Sequence, residues 1–407
     1  MMNTIALLGA LDTKGEDFAF LKTEIENRGY QTLMIDFSVI GEPAFSADIP
    51  REEVAAAGEV PLATLQANDD RGQAMEVMAT GAAEIVRRLY AQEKIDGIIS
   101  MGGGGGTTVA SIAMRALPVG FPKLIVSTVA SGETARFIGS SDIALMPAVI
   151  DVAGLNRISR KIYANAAGAI CGMCDPRTRE AAASDERPMI AISMFGNTTQ
   201  AVNHAKKRLE AAGFEVIIFH ATGTGGRTME MLTSEGQFVA VLDMTTTEWA
   251  DELVGGVLSA GSERLDAAAL GNIPQVIVPG CIDMVNFWGR ENVPPQFANR
   301  LFYEWNANVT LMRTTPEETA QLGEIFAQKL NRATAPVKIL LPMRGVSEID
   351  VQGKPFYWPE TLTAFRDALK RNLGDHIQVV EYDTHINDPD FANAAADALL
   401  EMLVDRI

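Results

Sequence analysis

Residues 99–108, ISMGGGGGTT, decide the fold of this chain. An apolar strand, Gly97–Ser100, runs into five glycines, and a segment with helical periodicity, Thr107–Ala116, follows them. A strand that enters a helix through a glycine-rich turn is typical of a parallel α/β sheet, whose ligands bind beyond the carboxyl ends of the strands. The stretch therefore predicts both the architecture and the place of a ligand.

The alternation of strands and helices continues on both sides of this turn. Strands are predicted at Thr4–Gly9 and Thr32–Phe37, around a helix at Phe18–Asn27, and a further strand at Lys123–Ser127. Short apolar runs that alternate with helical segments are the pattern of a parallel sheet covered by helices on both faces. The predicted fold class is α/β, with Rossmann-like parallel sheets flanked by helices.

The length of the chain and a restart of the pattern predict two domains in tandem. A chain of 407 residues exceeds the roughly 250–300 residues that one hydrophobic core organises. After a charged stretch at 174–188, the strand and helix layout begins again at Met189, and Val337–Leu341 and Gln378–Tyr382 add two strands to the second sheet. The predicted domains are residues 1–180, which bind a nucleotide, and residues 181–407, a second Rossmann-like α/β domain.

Composition excludes several classes of partner. The net charge of -18 opposes binding of nucleic acid, whereas backbone N–H groups and one or two cations can still hold a small phosphate ligand. No apolar run reaches the roughly 18 residues of a membrane span. Three cysteines and an amino terminus without a signal-peptide pattern predict a cytoplasmic location.

The five glycines predict a phosphate-binding turn. Glycine adopts positive φ and lets a ligand approach the backbone, and a helix N-terminus offers unpaired N–H groups with a partial positive charge. The turn is no Walker A loop, because no Lys follows, and Gly104 stands where phosphofructokinase-type and lipid kinases have an Asp. It therefore predicts phosphate binding more firmly than phosphate transfer. The predicted contacts are Gly102, Gly103, Gly104, Gly105, Gly106, Thr107 and Thr108.

Two further loops are candidates for the same site, one after the strand Thr4–Gly9 and one after the strand Lys123–Ser127. In the first, Lys14 is expected to contact phosphate, Thr13 to donate its hydroxyl, and Asp12 to contact the ribose or magnesium. Alternatively, Thr13 caps the next helix together with Glu16. The second loop is expected to form another wall of the same site, with Ser127, Ser131 and Gly132.

The second half offers candidates for catalysis. His220 precedes a second glycine-rich turn and would act as an acid or base, unless it only packs at the end of a strand. Arg227 would bind a phosphate or carboxylate, and Asp243 would complete the polar site. Cys171 and Cys174 have CxxC spacing, but we interpret them as two buried small residues.

A set of motifs in a fixed order resembles a known family. The motifs include IALLGALDTKGEDFAFL, DRGQAMEVMATGA, SMGGGGGTTVASIAMRALPVGFPKLIVSTVASG, VIDVAGLNRISRKI, FHATGTGGRTMEML and DMTTTEWADELVGG. They resemble an uncharacterised bacterial family related to the ATP-binding amino-terminal half of the tomato resistance protein that inhibits tomato mosaic virus replication, a Tm-1-like ATP-binding family. The resemblance implies two Rossmann-like domains, a homodimer, and ATP with Mg²⁺ in the first domain. The plant relative carries a further TIM-barrel domain, so any activity that needs that barrel would require a separate TIM-barrel partner protein.

Three functions follow from these observations. The favoured hypothesis is an ATP-binding protein that holds the nucleotide phosphates on the glycine turn. The alternative is a metabolic enzyme that acts on a small acid or phosphorylated metabolite in the cleft between the domains, with ATP as cosubstrate. A dinucleotide-dependent dehydrogenase is less favoured, because the first turn lacks GxGxxG and Asp36 is only a partial counterpart of a ribose-binding acid. Whether the chain is an enzyme stays open.

Overall fold

The computed structural model describes residues 3–175 and 187–404. The chain divides into two compact units, Met1–Asp185 and Glu186–Ile407. The domain boundary predicted between residues 180 and 181 lies outside the described residues, as does most of the charged stretch that suggested it. No described helix is both long enough and apolar enough to cross a membrane.

The first unit contains a five-stranded sheet in the order β2-β1-β3-β4-β5, and every strand pair in it is parallel. The strands are β1 (Thr4–Gly9), β2 (Gln31–Asp36), β3 (Gly97–Gly102), β4 (Lys123–Ser127) and β5 (Ala144–Pro147). The helices are α1 (Leu11–Glu26), α2 (Arg51–Ala57), α3 (Leu62–Asn68), α4 (Arg71–Ala91), α5 (Gly104–Arg115), α6 (Ala135–Ile138) and α7 (Ser159–Met173). The strand order reverses between β1 and β3, which is where open α/β sheets leave a crevice for ligands.

The two faces of this sheet build two cores. Alternate residues of β1 point to opposite faces, so Ala6 and Leu8 pack against α4 and α5, whereas Ile5 and Leu7 pack against α1 and α7. Cys171 belongs to the second of these cores, and burial raises the pKa of its thiol to about 11. Burial on both faces explains why the strands are almost continuously apolar.

Two helix starts differ from the prediction. Helix α1 begins at Leu11, seven positions before Phe18, because the buried Asp36 carboxylate accepts a hydrogen bond from the Leu11 N–H at 3.1 Å. The same carboxylate accepts two hydrogen bonds from Ser38 at 2.9 Å, so Asp36 is occupied internally and is no ribose-binding acid. Helix α5 begins at Gly104 rather than at Thr107, so three of the five glycines form its first turn.

The second unit repeats this topology with one more strand. Its six-stranded sheet has the order β14-β13-β9-β8-β6-β7, which is the first unit's order extended by a sixth strand, and all its pairs are parallel. The two predicted extra strands, β13 and β14, are both present. The strands of this sheet are β6 (Met189–Met194), β7 (Glu215–His220), β8 (Ala240–Asp243), β9 (Gln275–Ile277), β13 (Val337–Pro342) and β14 (Gln378–Tyr382).

A small antiparallel sheet in the second unit was not predicted. It contains β10 (Met284–Phe287), β11 (Phe302–Asn306) and β12 (Val309–Arg313), in the order β10-β12-β11. The helices of the unit are α8 (Thr199–Ala211), α9 (Thr224–Ser234), α10 (Thr247–Val254), α11 (Asp266–Leu270), α12 (Pro316–Leu330), α13 (Pro359–Asn372) and α14 (Pro389–Leu403).

Candidate ligand site in the first unit

A cavity of about 480 Å³ lies beyond the carboxyl ends of β1, β2 and β3, where the strand order reverses. Its walls come from the start of α1, the segment after β2, the α3–α4 connection and the start of α5. Its lining residues include Asp12, Thr13, Lys14, Phe37, Ser38, Val39, Ile40, Leu65, Asp69, Asp70, Arg71, Met75, Met78, Gly103, Gly104, Gly105, Gly106 and Asp151. The topology therefore places a cavity where this class of sheet binds its ligands.

The first turn of α5 lines the cavity without side chains. Gly103 is the N-cap, and no side chain caps the helix. A Cβ atom at position 104 would meet nothing within 4 Å, whereas one at position 105 would lie 3.4 Å from Met75 Cε and 3.7 Å from an Arg71 guanidinium nitrogen. None of the five glycines has a positive φ, so what they contribute here is the absence of side chains and not left-handed backbone. The glycines leave the helix N–H groups accessible to a ligand.

Arg71 supplies a cation that sequence reasoning missed. It is the first residue of α4, directly after Asp70, whose side chain caps that helix by accepting hydrogen bonds from the N–H groups of Gly72 and Gln73. Arg71 is exposed, lines the cavity beside Gly105, and forms no ion pair with any residue that the structure describes. A guanidinium in this position can bind a phosphate with two parallel hydrogen bonds.

The predicted loop after β1 lies in the same cavity. Asp12, Thr13 and Lys14 all line it together with Gly103–Gly106. The Lys14 ammonium donates a hydrogen bond to the carbonyl of Val152, which leaves it two further donors. The Asp12 carboxylate accepts a hydrogen bond from the Gly41 N–H at 3.3 Å. Helix α1 has a kink at Lys14, whose φ of -132° is not helical. Among the described residues, the Thr13 hydroxyl forms no hydrogen bond with Glu16, so the predicted capping box is not formed.

Six predicted contacts lie outside this cavity. The hydroxyls of Thr107 and Ser127 are buried and hydrogen-bond each other at 2.7 Å, so both stabilise the packing of α5 on β4. Gly102 is a buried residue at the end of β3. Ser131 and Gly132 are exposed and do not line the cavity, and Thr108 lines a second, smaller cavity.

The cavity lining combines apolar side chains with N–H donors. The apolar residues Phe37, Val39, Ile40, Leu65 and Met78 come from the segment after β2 and from α3 and α4, and we call them the apolar wall. The start of α5, Lys14 and Arg71 present N–H donors. Such a lining suits a ligand that carries both an apolar group and an anion.

The other glycine-rich turn, in the second unit, is filled by the protein itself. At the start of α9, one oxygen of the buried Glu248 carboxylate accepts hydrogen bonds from the N–H groups of Gly223 at 2.7 Å and Gly226 at 3.1 Å. A Cβ atom at position 226 would lie 2.1 Å from the other oxygen of Glu248. The second unit thus satisfies its glycine turn with an internal anion, whereas in the first unit the turn at Gly103–Gly106 faces a cavity.

Asp243 lies inside an ion-pair network, which corrects its predicted catalytic role. The buried Arg264 guanidinium donates to its two carboxylate oxygens at 2.5 and 2.7 Å, and Ser193 donates a third hydrogen bond at 2.6 Å. Arg264 also pairs with Glu248 at 2.8 Å and Glu230 at 3.0 Å. Asp243 is 1% exposed and both of its carboxylate oxygens are occupied by Arg264 and Ser193, which favours a structural role over the predicted catalytic one.

The other two predicted catalytic residues lie at the surface. His220 ends β7 with its ring 5.5 Å from the Phe195 ring, and partial desolvation of this exposed imidazole lowers its pKa. The Arg227 guanidinium donates to the carbonyl of Ser259 at 2.8 Å. Among the described residues, no hydrogen bond joins His220, Arg227 and Asp243, and a joint catalytic role for them stays a prediction.

Two family models match the chain. The N-terminal domain of the uncharacterised protein family UPF0261 matches residues 3–179, and the C-terminal domain of the same family matches residues 187–403. The chain belongs to the UPF0261 family. Two bacterial relatives in the family are a UPF0261 protein of Clostridium tetani, 49% identical over 99% of this chain and 100% of its own length, and one of Rhizobium meliloti, 43% identical over 98% of each chain.

The tomato relatives extend beyond the family's two domains. The tomato mosaic virus resistance protein Tm-1 of Solanum lycopersicum is 38% identical over 97% of this chain but only 55% of its own length.

Among solved structures, UDP-N-acetylglucosamine 2-epimerase of Rickettsia bellii aligns over 100% of this chain and 97% of its own at 12% identity, with a TM-score of 0.24. A score of that size supports no inference about function.

Proposed function

We propose that the first unit binds ATP, with the phosphates on the first turn of α5 and the adenine against the apolar wall of the cavity. The observation that carries the proposal is the contrast between the two glycine-rich turns. One is filled by the carboxylate of Glu248, and the other opens into a 480 Å³ cavity with an arginine beside it. A helix N-terminus that is free of side chains and faces a cavity suits an anionic ligand.

The charged residues that line the cavity favour a nucleotide with its metal ion over a simple anion as the ligand. Lys14 and Arg71 face the phosphate end, but Asp12, Asp69 and Asp151 also line the cavity. Mg²⁺ that accompanies a nucleotide usually takes one or two carboxylates together with phosphate oxygens. Carboxylates of this lining, Asp12 and Asp151 among them, would hold it, and when bound it would neutralise phosphate charge. No described group of three or more His, Cys, Asp or Glu residues could hold a metal ion by itself.

Replacing Arg71 tests the phosphate end of the site. We expect Arg71→Gln to weaken ATP binding about ten- to a hundredfold, because it removes charge-assisted hydrogen bonds. AMP binding should change less, since the base and ribose contacts remain. Isothermal titration calorimetry with both nucleotides measures the two effects.

Arg88→Gln is the matched control for this variant. Arg88 lies on the same helix, but it pairs at the surface with Glu53 at 2.7 Å. The control should bind ATP as the unmodified protein does. Equal ATP affinity in Arg71→Gln and the unmodified protein would contradict this placement of the phosphates.

Two further proposals rest on the family resemblance, and a third rests on the cysteine count and the amino-terminal sequence. They are a homodimer, which light scattering on the full chain would measure, a separate TIM-barrel partner protein, which co-purification would detect, and a cytoplasmic location, which cell fractionation would test. The alternative, an enzyme that uses ATP as cosubstrate, loses Asp243 as a catalytic candidate because Arg264 occupies it.

A further inference from the structure

A second cavity, of about 240 Å³, opens on the other side of the α5 N-terminus. It shares Gly104 with the larger cavity and is lined by the outer face of α5 and by α6. Its lining residues are Gly104, Thr108, Ser111, Ile112, Arg115, Arg136 and Phe137. The two cavities therefore meet at one residue of the glycine turn.

Two arginines without carboxylate partners line this second cavity. Elsewhere in the first unit, Arg28, Arg87 and Arg88 each pair with a glutamate. Arg115 and Arg136 form no such pair within the described part of the chain, although acidic residues outnumber basic ones by 52 to 34. No described carboxylate of this unit therefore neutralises the charge of either guanidinium.

Contacts with neutral groups hold both guanidinium groups in place. One nitrogen of Arg115 donates to the backbone carbonyls of Arg136 and Phe137, each at 3.2 Å. The Arg136 guanidinium lies 4.7 Å from the centre of the Phe137 ring. A guanidinium has five N–H donors, so most donors of both residues remain for a ligand.

The hydroxyls of the cavity do not compete for these donors. Thr108 donates to the Gly104 carbonyl at 2.9 Å, and Ser111 donates to the Thr108 carbonyl at 3.0 Å. The lining contains no acidic residue. The cavity therefore combines two cations with no anion, which favours an anionic ligand and disfavours a metal ion.

We propose that Arg115 and Arg136 bind a phosphate group next to the phosphate end of the larger cavity. The group has two possible sources: a separate phosphorylated metabolite, or the terminal phosphate of the nucleotide itself, reaching past Gly104. The presence of a nucleotide in the larger cavity rests on the proposed function. The arginine site does not depend on it, because the site is defined by its own lining residues.

Calorimetric titration of the full chain with inorganic phosphate tests the site. We expect binding that is weakened about tenfold in Arg136→Gln and in Arg115→Gln, and that is kept in Arg87→Gln, whose residue pairs with Glu84 at the surface. Arg136→Gln is the cleaner variant, because Arg136 is exposed and its described side-chain contact is the Phe137 ring. Thermal melts of each variant show whether it folds.

A second titration separates the two sources. Phosphate that still binds in the presence of saturating ATP indicates a separate metabolite. If ATP displaces phosphate, and Arg136→Gln weakens ATP but not AMP, the group is the terminal phosphate of the nucleotide. Unchanged phosphate affinity in both folded variants, or no phosphate binding to the unmodified protein, would overturn the proposal. If Arg71→Gln loses ATP binding but keeps phosphate binding, the site at Arg115 and Arg136 is distinct from the larger cavity.

Discussion

Gly104→Asp should weaken ATP binding about a hundredfold or more without weakening the fold. A carboxylate in the first turn of α5 would stand where we propose the phosphates, and two like charges in contact cost several kcal/mol. The fold should tolerate the change, because a Cβ atom at position 104 meets nothing within 4 Å and the residue has no positive φ. An acidic side chain near a helix N-terminus even stabilises the helix by about 0.3–1 kcal/mol.

Gly104→Asn is the matched control, since asparagine has the same shape without the charge. It should lose much less affinity for ATP than the aspartate variant. Calorimetry measures the affinities, and thermal melts should place the aspartate variant at or above the melting temperature of the unmodified protein. An aspartate variant that binds ATP as well as the asparagine variant would show that the phosphates lie elsewhere.

Arg264→Met should destabilise the second unit by about 3–5 kcal/mol, because it leaves several buried carboxylates without their cation. Arg264 is 1% exposed and pairs with Asp243, Glu248 and Glu230. Burial alone would lower the pKa of the guanidinium. The attraction of the three carboxylates is larger than this effect and raises the pKa well above the usual value. All four tryptophans lie in the second unit, so tryptophan fluorescence during urea unfolding reports on that unit alone.

The defect of Arg264→Met should depend on pH. Burial already raises the pKa of Glu248 and Glu230, and loss of the guanidinium raises it further. A carboxyl whose folded pKa is raised binds its proton more tightly in the folded state, so its contribution to stability is present at low pH and is lost as the pH rises through the folded pKa. The variant should therefore recover stability relative to the unmodified protein as the pH falls from above the raised folded pKa of these carboxyls toward their ordinary range.

Arg227→Met is the control for this variant, because Arg227 is an exposed arginine of the same unit. It should change the free energy of unfolding by much less. An Arg264→Met variant as stable as this control at pH 8 would contradict the structural role of the network and reopen Asp243 as a catalytic candidate.

The sequence predicted the fold class because the strands are buried on both faces and read as continuous apolar runs. The helix starts were harder to predict, since Asp12, Thr13 and the glycines are poor helix formers. Their helical conformation depends on tertiary contacts such as the one between the Asp36 carboxylate and the Leu11 N–H. The small antiparallel sheet is not predicted because β11 is no apolar run, since its last three residues, Glu304–Asn306, are exposed.

Only those parts of the site that come directly after a strand could be predicted from the sequence. Asp12–Lys14 and Gly103–Gly106 come together because parallel strands end at the same edge of a sheet. Arg71 reaches the cavity from a helix between β2 and β3, and its sequence position does not show which strand end it faces. Asp243 was misassigned because its partner Arg264 lies 21 positions later, in a segment without a recognisable motif.

The most direct test of the account is an NMR titration of the full chain, labelled with ¹⁵N only at glycine, with ATP. We predict that the amide signals of Gly104, Gly105 and Gly106 shift as ATP is added, while those of Gly223 and Gly226, whose N–H groups already donate to Glu248, stay in place. Unchanged signals for Gly104–Gly106 at saturating ATP, or shifts confined to the turn of the second unit, would contradict the claim that the first unit binds the nucleotide phosphates.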